Sequence, residues 1–577
     1  MKLIWDLEKL LHGKTHEEHL SEIEELVKKI ESYKDFKLNA QYLLEIINYD
    51  NILGDKIDVL YQHYSLKTTV DSEDSLSDAK IKEIENIYTN IEIRLAFWIH
   101  WFIELSDDEA NDIISDEKLL KFKYYLKELR KYKKHTKSEE VEKIITYASE
   151  ASGSFRTLRD KITTKFSFIL DKTEMNEAEL RTYCNCGDDK LRKKGYKVLL
   201  NKYADNSTVL NEIYQAIVKQ NNNMSVKVQE HASALQKKNL SNEISDNVVN
   251  SLFNTVQNKN NLKIFQDFFE LKCKINGNKY DNSRYHIYAP INYNIDKKYS
   301  LDDALNIVYK VFRDFDPEYE LIAKEIIKNK NVHSHPLKNK KGGAFCASVH
   351  GFNPYILMNF DKTLSSVFTL AHELGHAIHA VYSKDLPNNL RGASLNLCET
   401  ASTFCENLLF EYLYNESNKR KEKIYLLADS LAGHYAIIQR QTYFCIFEKF
   451  VHENIDKGLR KENLENKYYS LLKEQFGSME IPEIFKYEFY YIPHIFNSPF
   501  YCYSYSFGEL LVLSLYEKFK LEGESFKNKY KIILSKGGSE SPEDIIKGAG
   551  LNLSDANFWQ LGYNVIESKV EKLKKLL

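Results

Sequence analysis

Proline and glycine, the residues that most often interrupt helices, are scarce in this chain of 577 residues, which has 9 prolines and 21 glycines. Apolar repeats with a period of 3.6 residues can therefore continue for long distances. Such repeats recur along the chain, and we predict helices over residues 17–33, 81–105, 116–132 and 199–219. The sequence predicts a mainly α-helical protein.

Long apolar runs are also missing. No uninterrupted segment approaches the roughly 20 apolar residues that a membrane-spanning helix needs. The first ten residues include Asp6 and Glu8, where an export signal would be apolar. We therefore expect no membrane association and a cytoplasmic location.

A large excess of charge of either sign is absent, because 80 Lys and Arg residues nearly balance 83 Asp and Glu residues, for a net charge of −3. Nucleic-acid-binding proteins typically have a strongly basic surface, so we expect no nucleic-acid partner. The eight cysteines are scattered, and Cys184 and Cys186 lack a second pair at zinc-finger spacing. We interpret them as reduced thiols of a cytosolic protein.

The chain does contain the sequence His-Glu-Leu-Gly-His, from His372 to His376. On a helix, residues four apart lie on one face, so both imidazoles can bind one zinc ion at about 2.0–2.1 Å. Glu373 stands beside them as a non-ligand that can polarise a metal-bound water. The surrounding residues are apolar, which predicts a buried helix in which these polar groups would be costly without a metal. The pattern predicts a zinc hydrolase, with peptide-bond hydrolysis as the default chemistry.

A third zinc ligand is expected from a second helix. The metzincin pattern would require Gly at position 379 and His at position 382, but this chain has His379 and Tyr382. We predict a helix over residues 397–406 in which Glu399 faces the zinc. Glu406 either orients a ligand imidazole or is a structural carboxylate, and the sequence leaves both alternatives open.

Two short strands are predicted before the metal-binding helix, over residues 344–349 and 355–360. Peptidases often hold an extended substrate along an exposed strand edge, through backbone hydrogen bonds. The paired glycines at 342–343 let one backbone approach another closely. We therefore predict that Gly343 and Ala344 bind the substrate.

Several motifs together resemble one known family. They are residues 341–346, 354–359, 369–379, 399–404, 492–496 and 499–505. In order and separation these segments resemble the oligoendopeptidase F branch of the thimet oligopeptidase family of zinc metallopeptidases, and the resemblance extends more weakly from near residue 100 to the C-terminus.

The resemblance implies a role for each residue of the metal motif. His372, His376 and Glu399 would bind one Zn²⁺ ion per chain, and Glu373 would be the general base and proton shuttle. The implied activity is endopeptidase cleavage of short unstructured oligopeptides. Two alternatives stay open: an exopeptidase of the same chemistry that removes C-terminal dipeptides, and a non-catalytic peptide-binding protein with a structural zinc.

The resemblance also implies a His/Tyr cluster that stabilises the oxyanion and holds the substrate. His494 and one or two of three tyrosines, Tyr501, Tyr503 and Tyr505, match it. If this segment is helical, Tyr501 and Tyr505 share a face and Tyr503 points elsewhere. We therefore expect Tyr501 and Tyr505 to be catalytic, and Tyr503 to contact the substrate.

The expected fold is a large helical zincin body with a small β-sheet beside the metal-binding helix and an N-terminal helical lobe. The resemblance implies that the two enclose a deep substrate channel with zinc at its floor. We predict a lobe over residues 1–190 and a catalytic domain over residues 191–577. The sequence leaves open whether the protein is a monomer or a homo-oligomer.

Overall fold

The structure, a computed structural model, describes residues 3–277, 282–291, 293 and 297–577. It is mainly helical with two small sheets, which confirms the predicted fold class. The helices are α1 (His16–Glu31), α2 (Ala40–Val70), α3 (Ser75–Glu104), α4 (Asp107–Ser115), α5 (Lys123–Arg130), α6 (Glu139–Thr163), α7 (Glu177–Cys184), α8 (Asp189–Asp205), α9 (Ser207–Asn222), α10 (Ala234–Ser241), α11 (Asp246–Val256), α12 (Lys259–Ile275), α13 (Leu301–Phe315), α14 (Pro317–Lys328), α15 (Leu364–Ser383), α16 (Asn388–Arg391), α17 (Thr400–Glu416), α18 (Arg420–His434), α19 (Arg440–Asn454), α20 (Lys461–Phe476), α21 (Pro493–Asn497), α22 (Tyr503–Glu522), α23 (Glu524–Ser535), α24 (Pro542–Gly548) and α25 (Ala556–Leu576). The strands are β1 (Phe168–Leu170), β2 (Thr173–Met175), β3 (Val332–His333), β4 (Phe345–Ala347) and β5 (Tyr355–Leu357).

The predicted helices are present, but their boundaries differ from the predicted ones; α3, for example, begins at Ser75 rather than at residue 81. The predicted helix over residues 116–132 begins as a 3₁₀ turn, Glu117–Phe122, before α5. The one over residues 199–219 is divided at Asn206 between α8 and α9. The Asn206 side chain donates a 2.8 Å hydrogen bond to the Lys202 carbonyl, and this local bond competes with continuation of the helix.

The chain forms two compact units, each built from three separate segments. The first unit comprises Met1–Lys134, Asp296–Tyr412 and Glu522–Gly550, and the second comprises His135–Ile295, Leu413–Leu521 and Leu551–Leu577. The predicted boundary near residue 190, between an N-terminal lobe and a catalytic domain, stays a prediction.

In the first unit, helices α1 to α5 share an apolar core that includes Ile46, Trp98 and Phe102. The same unit contains a three-stranded sheet in the order β3-β5-β4. β5 is parallel to β3 and antiparallel to β4, with Cys346 opposite Ile356. The two predicted strands before α15 are therefore confirmed, although each is shorter than expected, and β4 is an edge strand.

Helix α15 follows this sheet in the first unit. Its N-cap Thr363 accepts a hydrogen bond from the Ser366 backbone, and the helix packs against α13, α14, α23 and β4. Leu370, Leu374 and Ile378 are fully buried, as expected for a helix that is apolar on nearly all sides.

The second unit packs its helices around a buried ion network. Arg284 donates two 2.8 Å hydrogen bonds to the Glu488 carboxylate, and Arg440 approaches the same carboxylate at 3.3 Å. Glu488 belongs to a 3₁₀ segment, Glu483–Tyr491, that leads directly into α21. Within the described part of the chain, no helix is long and apolar enough to span a bilayer.

Candidate active site

Two imidazoles and one carboxylate converge in the first unit. The Nε2 atoms of His372 and His376 lie 3.1 Å apart, and Glu399 Oε2 lies 3.4 and 3.3 Å from them, respectively. Ligands at about 2.0–2.1 Å from a tetrahedral zinc ion are separated by about 3.3–3.4 Å. The donor types and their separations therefore both fit a zinc ion, and in the described residues this is the only such cluster of His, Cys, Asp and Glu.

Glu399 lies in the turn before α17. This helix begins at Thr400, three residues later than the predicted start at residue 397. The Ser402 hydroxyl donates a 2.7 Å hydrogen bond to Glu399 Oε2. Burial alone would raise the pKa of Glu399, but hydrogen bonding to His376 and the charge of that residue, together with Ser402, lower it to about 2. The carboxylate is thus held in the ionised form that a metal ligand requires.

The backbones of α15 and the start of α17 approach closely at Gly375. A Cβ atom at this position would lie 2.6 Å from the Ser402 Cα atom and 2.8 Å from the Ala401 carbonyl oxygen. Only glycine permits this approach, because the obstructing atoms belong to backbone that cannot rotate away. The approach brings Glu399 to the two imidazoles.

Glu406 contacts a ligand imidazole, which was one of the two alternatives that the sequence left open. Its Oε1 atom lies 2.5 Å from His372 Nδ1. Burial alone would lower the pKa of His372, but hydrogen bonding to Glu406 raises it to about 9. The contact orients the ring so that Nε2 faces the other two candidate ligands.

Glu373 is not part of this set of contacts. Its side chain is 4% exposed, and its Oε2 atom has no hydrogen-bond partner among the described residues. Burial raises the pKa of this carboxyl group above its ordinary value. A buried carboxyl with a raised pKa has the character of a group that exchanges protons with a reactant.

His379 is a functional candidate that sequence reasoning missed, since it was used only to exclude the metzincin pattern. The residue is buried, and its imidazole lies beside the backbone of Cys398. The Tyr530 hydroxyl donates a 2.9 Å hydrogen bond to the next-but-one carbonyl, that of Thr400. The turn that carries Glu399 is therefore held by a hydrogen bond at Thr400, and His379 lies beside it at Cys398.

The glycine segment before β4 is held by a residue that the sequence did not single out. Asn359 Nδ2 donates hydrogen bonds to the carbonyls of Lys341, at 2.9 Å, and Gly343, at 3.1 Å. Gly343 adopts φ +79°, a conformation that favours glycine, and has no neighbouring atom within 4 Å of a Cβ position. Gly343 and the half-buried Ala344 thus lead into the free edge of β4.

Three residues of the predicted His/Tyr cluster lie together in the second unit. The ring centroids of His494 and Tyr501 are 6.1 Å apart, with an interplanar angle of 8°. Tyr505 lies 5.3 Å from Tyr501 and 6.2 Å from His494. Tyr505 is 40% exposed, so the cluster is accessible from solvent.

Tyr503 does not join this cluster, and the structure gives no support to its predicted contact with substrate. Its side chain is fully buried, and its hydroxyl accepts a 2.7 Å hydrogen bond from Asn242 Nδ2. The helical-spacing argument had correctly separated Tyr503 from Tyr501 and Tyr505.

A strained residue precedes Tyr501. Phe500 is buried and has φ +58°, which is uncommon for a bulky side chain. Its backbone N–H donates a 3.0 Å hydrogen bond to Glu448 Oε1, which is itself buried. Glu448 thus helps to hold the turn that presents Tyr501.

The chain is similar to several known peptidases. A family model described as "Peptidase family M3" matches residues 182–565, and one described as "Oligopeptidase F" matches residues 101–168. The chain is 28% identical to oligopeptidase PepF of Bacillus subtilis, over 96% of this chain and 84% of that protein. It is 29% identical to an oligoendopeptidase F homolog of Borreliella burgdorferi, over 99% and 98%, respectively. The crystal structure of a proposed peptidase from Chlamydophila abortus shares the fold, with a TM-score of 0.89, 24% identity, and coverage of 100% of this chain and 98% of that one.

Proposed function

Because the chain belongs to peptidase family M3, in its oligopeptidase F branch, we propose that it is a zinc-dependent endopeptidase that hydrolyses short, unstructured oligopeptides. The observation that carries the proposal is the convergence of His372, His376 and Glu399 at separations that match a tetrahedral zinc site. A cytoplasmic location remains a prediction from the sequence.

His372, His376 and Glu399 would hold one zinc ion per chain. When bound, zinc would supply Lewis acidity, which lowers the pKa of a coordinated water and polarises the scissile carbonyl. The Glu406 carboxylate orients His372, and Ser402 orients Glu399, so the ligands are arranged before the metal arrives.

Glu373 is proposed as the general base. It would take the proton from the attacking water and then deliver it to the nitrogen of the leaving amine. Its burial, its raised pKa and its Oε2 atom without a partner among the described residues support this role. These features also argue against a purely structural zinc site, in which a buried non-ligand carboxyl would have no function.

His494, Tyr501 and Tyr505 are proposed as hydrogen-bond donors to the oxyanion that develops on the substrate carbonyl. The family resemblance supports this assignment, and so does the clustering of the three rings. Burial, and secondarily the charge of Arg440, lower the pKa of His494. A neutral imidazole still has one N–H to donate.

The free edge of β4 is proposed to bind the peptide backbone of the substrate, with Gly343 and Ala344 at its start. Edge strands pair with an added strand through backbone hydrogen bonds, which tolerate many side-chain sequences. The added strand must be extended, so folded proteins would be poor substrates.

The test combines metal removal with product mapping. A short internally labelled peptide is incubated with the holoenzyme, with chelator-treated enzyme, and with treated enzyme after zinc is restored. We expect cleavage at internal bonds, its loss after chelation, and its recovery with zinc. Undiminished cleavage without metal would refute the metallopeptidase mechanism, and exclusive release of C-terminal dipeptides would identify the exopeptidase alternative.

A further inference from the structure

Lys238 lies against the His/Tyr cluster in the second unit. Its Nζ atom is 5.6 Å from the centroid of the Tyr501 ring. It belongs to α10, and Asn242 at the end of this helix donates hydrogen bonds to the side chains of Tyr503, at 2.7 Å, and Ser504, at 3.1 Å. These bonds tie α10 to the start of α22, so the position of Lys238 relative to Tyr501 is fixed by the fold.

The ammonium group of Lys238 has neither an ion-pair nor a hydrogen-bond partner in the described part of the chain, although the side chain is half-buried. Burial lowers its pKa, which means that the charged form is incompletely stabilised. The preceding lysine behaves differently: Lys237 Nζ donates hydrogen bonds to Gln229, at 2.8 Å, and to Ser225, at 3.2 Å. The ammonium N–H groups of Lys238 can therefore donate hydrogen bonds to an anion.

The surroundings of the cluster also favour an anion. Arg440 acts on His494 electrostatically, and it shares the single carboxylate of Glu488 with Arg284. Two positive charges therefore face one negative charge, which leaves this network with net positive charge. A ligand that suits this surface carries a negative charge and several acceptor oxygens.

We propose that Lys238, beside the Tyr501 ring, provides a subsite that binds a carboxylate of the peptide substrate. The inference rests on the proposed function, because the anions that an unmodified peptide carries are its C-terminal carboxylate and its Asp and Glu side chains. Both sources present the same chemical group. Lys238 is thus a residue that determines which peptides are preferred, and it acts in addition to the backbone contacts of β4.

The test compares peptides that differ only in their carboxylates. One internally quenched peptide without Asp or Glu is made with a free C-terminus and with an amidated C-terminus. A third series is amidated and carries one Glu at each position in turn. The values of kcat/KM are measured for the wild-type holoenzyme and for Lys238→Met, Lys238→Arg and Lys237→Met. The last variant is a matched control, since it removes an equivalent charge from the same helix.

In the wild-type enzyme, we expect at least one carboxylate-bearing peptide to be preferred over the neutral amide by about tenfold, which a hydrogen-bonded ion pair can supply. Lys238→Met should reduce that preference to near unity while cleavage of the neutral amide is retained. Lys238→Arg should keep most of the preference, and Lys237→Met should keep all of it. If Lys238→Met loses the preference only for the free-acid peptide, the C-terminal carboxylate is the ligand. If it loses the preference only for the Glu peptides, the ligand is the side-chain carboxylate.

Two outcomes would overturn the inference: no carboxylate preference in the wild-type enzyme, or an equal preference in Lys238→Met. Either result would leave the proposed function intact, because the neutral amide would still be cleaved. Failure of the wild-type holoenzyme to cleave any of the peptides would instead overturn the proposed function. Dissociation constants of the same peptides, measured in a Glu373→Gln background, show whether the preference arises in binding.

Discussion

The Nδ1 atom of His372 and the Oε1 atom of Glu406 lie 2.5 Å apart, on helices α15 and α17 of the first unit. A carboxylate at Nδ1 holds the proton on that nitrogen and leaves the Nε2 lone pair free for a metal. The same contact increases the basicity of the imidazole, which strengthens it as a ligand. Glu406 would therefore act on a bound metal ion through His372.

Replacing Glu406 should weaken zinc binding. Glu406→Gln removes the charge that orients and polarises His372, and we expect the zinc affinity to fall by about 10- to 100-fold. Competition with a chromogenic chelator measures this affinity. Glu416→Gln, at the exposed end of the same helix, is the control and should bind zinc like the wild type. Equal affinity in both variants would remove Glu406 from the metal site.

Removal of the general base should separate catalysis from metal binding. Glu373→Gln keeps the shape of the side chain but cannot accept a proton, so we expect kcat to fall by about 100-fold or more. Zinc content, measured on the purified variant, should equal that of the wild type, because Glu373 is not a ligand. Turnover like that of the wild type would exclude Glu373 from the mechanism.

The close approach at Gly375 should make this position intolerant of a methyl group. Gly375→Ala would place a Cβ atom 2.6 Å from the Ser402 backbone, and we expect a loss of about 1–3 kcal/mol in the free energy of unfolding. Zinc affinity should fall as well, because the displaced backbone carries Glu399. Gly433→Ala is the matched control, since this helical glycine has no atom within 4 Å of a Cβ position. The control should be neutral or stabilised by up to about 1 kcal/mol; similar destabilisation in both variants would contradict the packing argument.

The tyrosines of the second unit should differ in their effects on catalysis. Tyr501→Phe removes a proposed oxyanion donor, so kcat should fall by about 100-fold with little change in KM. Tyr503→Phe removes a buried hydroxyl that accepts a hydrogen bond from Asn242, so it should lower stability and leave kcat near the wild-type value. Steady-state kinetics and thermal unfolding of both variants distinguish these roles. An unchanged kcat in Tyr501→Phe would transfer the donor role to Tyr505.

Local patterns in the sequence predicted the part of the site that depends on one helix. The four-residue spacing of His372 and His376 was sufficient to place both rings on one face, because helical geometry depends only on local spacing. The strand pair before α15 was predicted from two short apolar runs with β-branched and aromatic residues. The separation of Tyr503 from its neighbours followed from helical spacing.

Contacts between distant segments could not be predicted in this way. The position of His379 beside the Cys398 backbone depends on how α15 packs against the turn before α17. The position of Lys238 beside Tyr501 joins residues that are far apart in the chain, and nothing in the neighbourhood of Lys238 distinguishes it from other lysines. Periodicity identifies which face of an element is buried, but not which element covers it.

Glu448 should make stability depend on pH. Burial raises the pKa of this carboxyl from an ordinary 4.5 to about 8, so the folded protein retains a proton that the unfolded chain releases. The stabilisation is complete below about pH 4.5 and is lost as the pH rises through 8. Glu448→Gln keeps an acceptor for the Phe500 N–H but cannot ionise, so its melting temperature relative to the wild type should increase between pH 5 and pH 9. Glu453→Gln, exposed on the same helix, is the control and should show a constant difference. If the difference in melting temperature from the wild type is constant across this range for both variants, Glu448 is not protonated in the folded protein.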